Sequence, residues 1–561
     1  MQVNTDRQES PFTEEAEKII HDIVSEHVYT RMPIRVLRLD KMELIERGAV
    51  INEVIDVITK NSSLSVKAEI SRGTVHTVKK EEVRLLAQQN CEYAILSHTW
   101  LVNQPEVLYA DAQIAGWQSS AATKKVTGFN KLKGFCDTAS GEPYWARYGW
   151  IDTICIDKSS TSELDESIRS MYRWYLNSKV CIVYLAETPP SPTLDGMERD
   201  RWFTRGWTLQ EYLAPKVIKF HGQDWRPLTS YISSTGQNIK NDRFPETVSL
   251  IQEKIEKATG IPPSLGSSTE HDYLHPSSTL SRGRIIKQMQ WAARRETTRQ
   301  EDRSYSLMGI FNVSFSIAYG EGGERAFFRL IEAILATKPA DQVCQLLAWG
   351  GRPLSDEIHT SRLLPSGPEC YGTPEVGDPA WLEVKVPRNP PEPTVLTHIG
   401  LKVRVLIARA MVVPLAGAPP FDGHQVQFEV RSSSLKFDPL HVHLLSAHET
   451  NPKPKDIYPS LEKDRDTQDP HFLLAIYTFV EDNTKVQIPS VGLGFMLAWY
   501  PPKDVWLKDS DIASVYLNAR SKVDTRDAVT FARTVNSKDG YSTLMKDRLQ
   551  GESLVMASLY L

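Results

Sequence analysis

YAILSHTW at 93–100, WIDTICID at 150–157 and VCIVYLAE at 180–187 are the stretches whose reading decides the fold. Each is a short apolar run that ends in polar residues. Continuous runs of this length, rather than alternating ones, are typical of strands covered on both faces, as in a parallel sheet. The expected strands are 93–97, 150–156 and 180–185. Between the second and third, Ser162, Glu163, Leu164 and Asp165 read as a capping box. Leu164, Ile168, Met171 and Tyr175 follow at spacings of four, three and four, and Asn177-Ser178 closes the helix. The order strand, helix, strand predicts an α/β fold with a doubly wound parallel sheet.

Such sheets bind ligands beyond the carboxyl ends of their strands. Ser97, His98, Asp157 and the residues after Leu185 are therefore the first candidates. Downstream, RWFTRGWTLQEYLAP at 201–215 reads as a short helix stopped before Pro215. On that helix Trp207 and Glu211 would share a face at i and i+4.

Working outward, Ala16, Ile19, Ile20, Ile23 and Val24 mark an N-terminal helix that starts at Thr13, and residues 35–90 mix short strands with a helix. Residues 284–337 are helical again, with Ile285, Met289 and Ala292 on one stripe and Ala326, Leu330 and Ile334 on another. The Gly320–Gly323 loop turns the chain between them. Beyond about 345 prolines crowd 364–394, and alternating runs follow at 401–406, 424–431, 471–480 and 491–500, the pattern of an antiparallel β-rich domain. The resulting division is a lead-in at 1–90, an α/β domain at 91–230, a helical extension at 231–345 and a C-terminal β-rich domain at 346–561.

A chain of 561 residues exceeds one hydrophobic core. Its 41% hydrophobic and 24% charged residues are ordinary for globular proteins. A net charge of −5 provides no general attraction to nucleic acid. No apolar run is long enough to span a bilayer and no secretion signal opens the chain, so a cytoplasmic location is expected. Cys91, Cys136, Cys155, Cys181, Cys344 and Cys370 form no C-x-x-C pair and read as reduced thiols. His271 with His275, and His441 with His443 and His448, are the nearest approach to a metal set, and no metal site is expected from them.

Read in order, YAILSHTW, WIDTICID, the 166–176 helix with VCIVYLAE, and FTRGWTLQE at 203–211 resemble successive blocks of the heterokaryon incompatibility (HET) domain. The stretch 294–335 resembles the segment that often follows that domain in fungal proteins. Lys158 and Leu101 depart from the glutamine and glycine common at those places. The resemblance covers roughly 90–340 and implies a Toll/interleukin-receptor-like (TIR-like), flavodoxin-like fold. It also implies a role in fungal self/nonself recognition that ends in programmed cell death, with other HET or incompatibility proteins, or further copies of the same domain, as partners.

Some TIR-like domains cleave the nicotinamide–ribose bond of NAD with a glutamate, and the resemblance puts Glu211 at the similar position. NAD or NADP would then be substrate, with no resident cofactor. A carboxylate beside the ribose can stabilise an oxocarbenium-like transition state. Trp207 or Trp100 could stack on a ring and Arg205 could face a phosphate, with Ser97, His98 and Asp157 on the opposite wall. Against this, such tryptophans are more often core than platform, Asp152 and Asp157 could cap loops, and Glu211 could be only a solvated helix residue or a partner of Arg205. Ser97 and His98 are not a nucleophile–base pair, because neighbours on a strand point to opposite faces. The alternative is a non-enzymatic death-signalling adaptor that acts by self-assembly. The chain has no P-loop and no G-x-S-x-G elbow.

Overall fold

The computed structural model describes residues 14–60, 65–70, 73–228 apart from 102, 125 and 192, then 245–261, 284–347 and most of 349–372. From 394 onward it describes the strand segments, with side chains only as far as residue 405. Both histidine groups weighed above as metal ligands lie outside these residues. The chain divides into two units, Met1–His271 and Asp272–Leu561.

The first unit opens with α1 (Glu14–Arg31), the hairpin β1 (Arg35–Arg38) and β2 (Glu43–Glu46), and α2 (Arg47–Thr59). A second hairpin, β3 (Ser65–Ile70) with β4 (Gly73–Val78), and α3 (Lys80–Asn90) lead to β5 (Tyr93–His98). Short turns α4 (Tyr109–Ala112) and α5 (Ala121–Lys124) precede α6 (Thr127–Ser140), β6 (Tyr148–Trp150) and α7 (Asp152–Cys155). Then come α8 (Thr161–Asn177), β7 (Val180–Tyr184), α9 (Thr208–Leu213), β8 (Ile218–His221) and α10 (Pro245–Thr259).

Six of these strands form one sheet in the order β2-β1-β6-β5-β7-β8. β5 runs parallel to β6 and β7, and β7 parallel to β8. Counted along the chain, the four parallel strands stand in the order 2-1-3-4, and the β1–β2 hairpin adds an antiparallel edge on β6. The expected parallel sheet is present.

Two local expectations need correction. The run 150–156 is not one strand: pairing stops at Trp150, and Asp152–Cys155 make a helical turn. The run reads apolar throughout because Thr153, Ile154, Cys155 and Ile156 are all buried, and a turn covered on every side has the composition of a buried strand. The cap of α8 is Ser160, two residues before the expected Ser162; its hydroxyl accepts from the Glu163 amide at 3.4 Å.

The pleat of β5 sorts the core. Tyr93, Ile95 and Ser97 face α8 and α9: the Tyr93 hydroxyl donates to the Trp174 carbonyl at 2.5 Å, and Trp150, paired with Ile95, packs its ring 5.6 Å from that of Trp174. Ala94 and His98 face α6. There Gly149, paired with Ala94, leaves room for Phe135 and Leu39, which a β-carbon at Gly149 would meet at 2.8 and 2.6 Å. Burying each large aromatic side chain stabilises the fold by roughly 1.5–3 kcal/mol.

In the second unit α11 (Arg284–Ala293), α12 (Asp302–Tyr305), α13 (Met308–Phe311) and α14 (Gly323–Thr337) bury the two expected stripes, Ile285, Met289, Ala292 and Ala326, Leu330, Ile334. Gly320 and Gly322 adopt φ of 96° and 85°, and their amides donate to the Glu301 carboxylate. Glycine carries no β-carbon to strain this left-handed turn. Among the described strands, the long β-strand Gly400–Pro414 pairs antiparallel with Val395–Thr397, Phe428–Arg431, Phe472–Ile476 and Leu554–Tyr560 in a nine-stranded sheet. The alternating run 491–500 is a strand of the same sheet. No helix among the described residues is long and apolar enough to cross a membrane.

Candidate functional site

The carboxyl end of β5 carries two polar clusters, one on each face of the sheet. Ser97 belongs to the first. Its hydroxyl donates to Glu211 Oε2 at 2.5 Å and accepts from Trp202 Nε1 at 2.7 Å. The Tyr175 hydroxyl, on α8, is bonded to the Glu211 carboxyl group and donates to the Leu96 carbonyl at 3.0 Å. Glu211 is 7% exposed, and burial pushes its carboxyl up to about 8 despite the bond from Ser97; the nearby Asp152 charge raises it further.

The bonds from Ser97 and Tyr175 both draw the Glu211 carboxyl down, so burial, together with the Asp152 charge, outweighs them and sets the direction of the shift.

The helix expected at 201–215 is broken in two. Asp200 caps a 3-10 turn over Arg201–Thr204 by accepting from the Trp202 amide, Arg205 is extended, and only Thr208–Leu213 is α-helical, with Trp207 at its N-cap. The break falls at Arg205 and Gly206, inside the expected helix. Trp207, half-buried with helical backbone angles, stands four residues before Glu211, while the tryptophan bonded to Ser97 in the Glu211 network is Trp202. Arg205 is close enough to draw the Glu211 carboxyl slightly down.

His98 belongs to the second cluster, on the α6 side. Its side chain is 2% exposed, and Nε2 stands 3.5 Å from Asp152 Oδ1 without a hydrogen bond. Burial, with Lys131 nearby, lowers the imidazole to about 3, more than the attraction of Asp152 restores, so it is neutral. Lys131 is itself buried against Glu106, which also accepts from the Leu101 amide at 2.8 Å and so ties down the loop after β5. Asp152 Oδ2 accepts from Trp100 Nε1 at 3.0 Å and from Lys158 Nζ at 3.1 Å. Burial alone would raise the Asp152 carboxyl, yet Lys158, His98 and the Trp100 indole hold it well below the usual range.

Asp157 is apart from both clusters. Its Oδ1 accepts from the amide and hydroxyl of Ser159, a local turn, and those bonds lower its carboxyl. Ser97, Glu211 and the neighbourhood of Arg205 come together on one face, and His98 and Trp100 on the other. Trp202, Lys131 and Glu106 escaped the sequence reading, Tyr175 was noticed only in the helical stripe and Asp152 only as a loop cap. The signal for Trp202 was its indole N–H inside an apolar stretch, a donor that needs a partner when buried. Five cysteines, Cys91, Cys136, Cys155, Cys181 and Cys370, are buried free thiols, and burial raises each of them.

Comparison with known proteins bears on the same region. No solved structure matches the chain. The chain is 37% identical over 251 residues to the vegetative incompatibility protein HET-E-1 of Podospora anserina, a match that covers 43% of this chain and 16% of that protein. Residues 93–199, from the first residue of β5 to just short of the Asp200 cap, match the family described as heterokaryon incompatibility protein (HET). The part of the chain similar to that family therefore holds the parallel strands β5, β6 and β7, with Ser97, His98, Trp100 and Asp152 at their carboxyl ends.

Proposed function

We propose that the chain is a heterokaryon incompatibility-type effector of cell death in self/nonself recognition, and that its sheet is a TIR-like, flavodoxin-like module. The 2-1-3-4 order of the parallel strands supports the fold reading, since doubly wound sheets of that order reverse direction, and take their ligands, beside the first strand. In this reading the ends of β5, β6 and β7 take NAD or NADP and cleave the nicotinamide–ribose bond. One observation carries it: an acid, Glu211, sits at that end of the sheet with its proton affinity shifted toward neutrality, the kind of perturbation that clusters at reaction sites. To act on an oxocarbenium-like state Glu211 must lose its proton and its bond to Ser97, so turnover should climb as pH rises toward 8. The test is release of nicotinamide from NAD and NADP by concentrated protein, with Glu211→Gln as control. Loss of release and of growth arrest on overexpression supports the reading; release at the unmodified rate ends it.

The second reading, an adaptor that signals by self-assembly or by engaging other incompatibility proteins, is favoured by the burial of Glu211 and its bond from Ser97, which a purely structural acid would also show. It predicts that Glu211→Gln leaves growth arrest unchanged and that neither form releases nicotinamide.

A further inference from the structure

Lys158 is placed unusually for a lysine in the loop before α8. Its ammonium stands 3.1 Å from Asp152 Oδ2 and 3.9 Å from the centroid of the Trp100 ring. The same Trp100 donates its indole N–H to Asp152 Oδ2, so one side chain provides the aromatic face and fixes the carboxylate beside it. A π face and an ionised carboxylate converging on one point make a receptor for a cation, and for organic cations most of all, because they shed water more readily than a metal ion does. The receptor lies at the mouth of the site: Trp100 is 40% exposed and the Asp152 and Lys158 side chains 28% and 36%.

Charge counting points the same way. Behind the mouth, Lys131 and Glu106 neutralise each other and His98 is neutral. With Lys158 swung away, the group keeps the negative charge of Asp152, and His98 Nε2 is a further buried polar atom without a hydrogen-bond partner beside it.

We propose that Trp100 and Asp152 form a binding site for a planar organic cation, a pyridinium above all, and that Lys158 occupies this site as an internal stand-in that a ligand must displace. The inference rests on the reading that this end of the sheet takes a ligand, but not on any hydrolysis. A cationic pyridinium ring is the one part of oxidised NAD that such a site would select, and its reduced form carries no charge there. The lysine stem is long enough to leave without moving the backbone, so the site is closed by one rotamer change rather than by a domain motion.

1-Methylnicotinamide, a pyridinium cation, and nicotinamide, its neutral near-isostere, are the probes, titrated calorimetrically into the full chain. Lys158→Met keeps the stem and removes the competing charge; it should bind the cation at least about tenfold tighter than the unmodified protein does, with no gain for the neutral probe. Lys158→Arg, which keeps a cation on the ring, should show no gain. Adding Trp100→Leu to Lys158→Met should abolish it. In the unmodified protein the ε-methylene protons of Lys158 should be shifted upfield by the indole ring and return toward ordinary values as 1-methylnicotinamide is added, a readout that needs no variant to fold. Equal affinity of Lys158→Met for both probes, or no change from the unmodified protein, overturns the proposal, as does an unshifted Lys158 methylene. Nicotinamide release that is absent while this binding persists would sink the hydrolysis reading alone.

Discussion

Glu211 and His98 leave opposite marks on stability, and the signs follow from their protons. Glu211 holds its proton up to about 8 in the fold against an ordinary 4.5, so between these values the native state binds the proton and the unfolded chain does not. Its stabilising share is whole below 4.5 and is lost as pH rises through 8. His98 is held near 3 against an ordinary 6.5, so its share is present above 6.5 and is lost as pH falls through 3. The two slopes oppose each other between 4.5 and 6.5, leaving Glu211 to govern the range from 6.5 to 8. Glu211→Gln stands in for the neutral acid and keeps an oxygen for Ser97. Urea unfolding at a series of pH values should show it close to the unmodified protein near pH 6 and more stable above pH 8. Glu211→Ala should instead cost about 2–5 kcal/mol at neutral pH, because Ser97 and Tyr175 lose their partner in a buried place. An unchanged slope between 6.5 and 8 in Glu211→Gln would mean that the proton sits elsewhere.

At the scale of elements, β6 and α8 respond to single atoms. Gly149→Ala adds a methyl group between Leu39 and Phe135, where β5 and α6 already fix the spacing; it should destabilise the first unit by about 1–3 kcal/mol, measured by chemical unfolding. Ser160→Ala removes the hydroxyl that accepts from the Glu163 amide and should cost about 1 kcal/mol. Ser162→Ala should cost less than Ser160→Ala, a comparison that separates the observed cap from the one expected two residues later. Glu163 is held by more than the helix: it accepts from the Asp157 amide at 2.7 Å and pairs with Arg35 on β1, so it joins the start of α8 to the antiparallel edge of the sheet.

For the whole molecule, the division after His271 predicts that residues 1–271 expressed alone unfold in one cooperative transition. The apolar spacing along the chain instead makes 231–345 an extension of the α/β domain, and limited proteolysis would then cut near 355–395, around the proline-crowded stretch. A fragment ending at 345 that folds while one ending at 271 aggregates would favour that boundary. The far-ultraviolet signal of the first unit should be mixed α and β, and that of the second should reflect its large antiparallel sheet.

What was legible in the sequence was whatever depends on local composition and period. The strands at 93 and 180, the amphipathic stripe of α8 and the stripes 285/289/292 and 326/330/334 all follow from which residues must leave water, and that is written in their spacing. The opposite facings of Ser97 and His98 follow from the two-residue period of a strand. What the spacing left undecided is where a backbone that is buried everywhere changes from strand to turn, as at Trp150, and where a short helical run is interrupted, as at Arg205. Nor could it tell which acid is charged. Asp152 and Glu211 are each one carboxyl group in an apolar run; only the tertiary structure sets Lys158 and Trp100 against the first and neutral hydroxyls against the second, and a proton's affinity depends on those neighbours rather than on the residue that carries it.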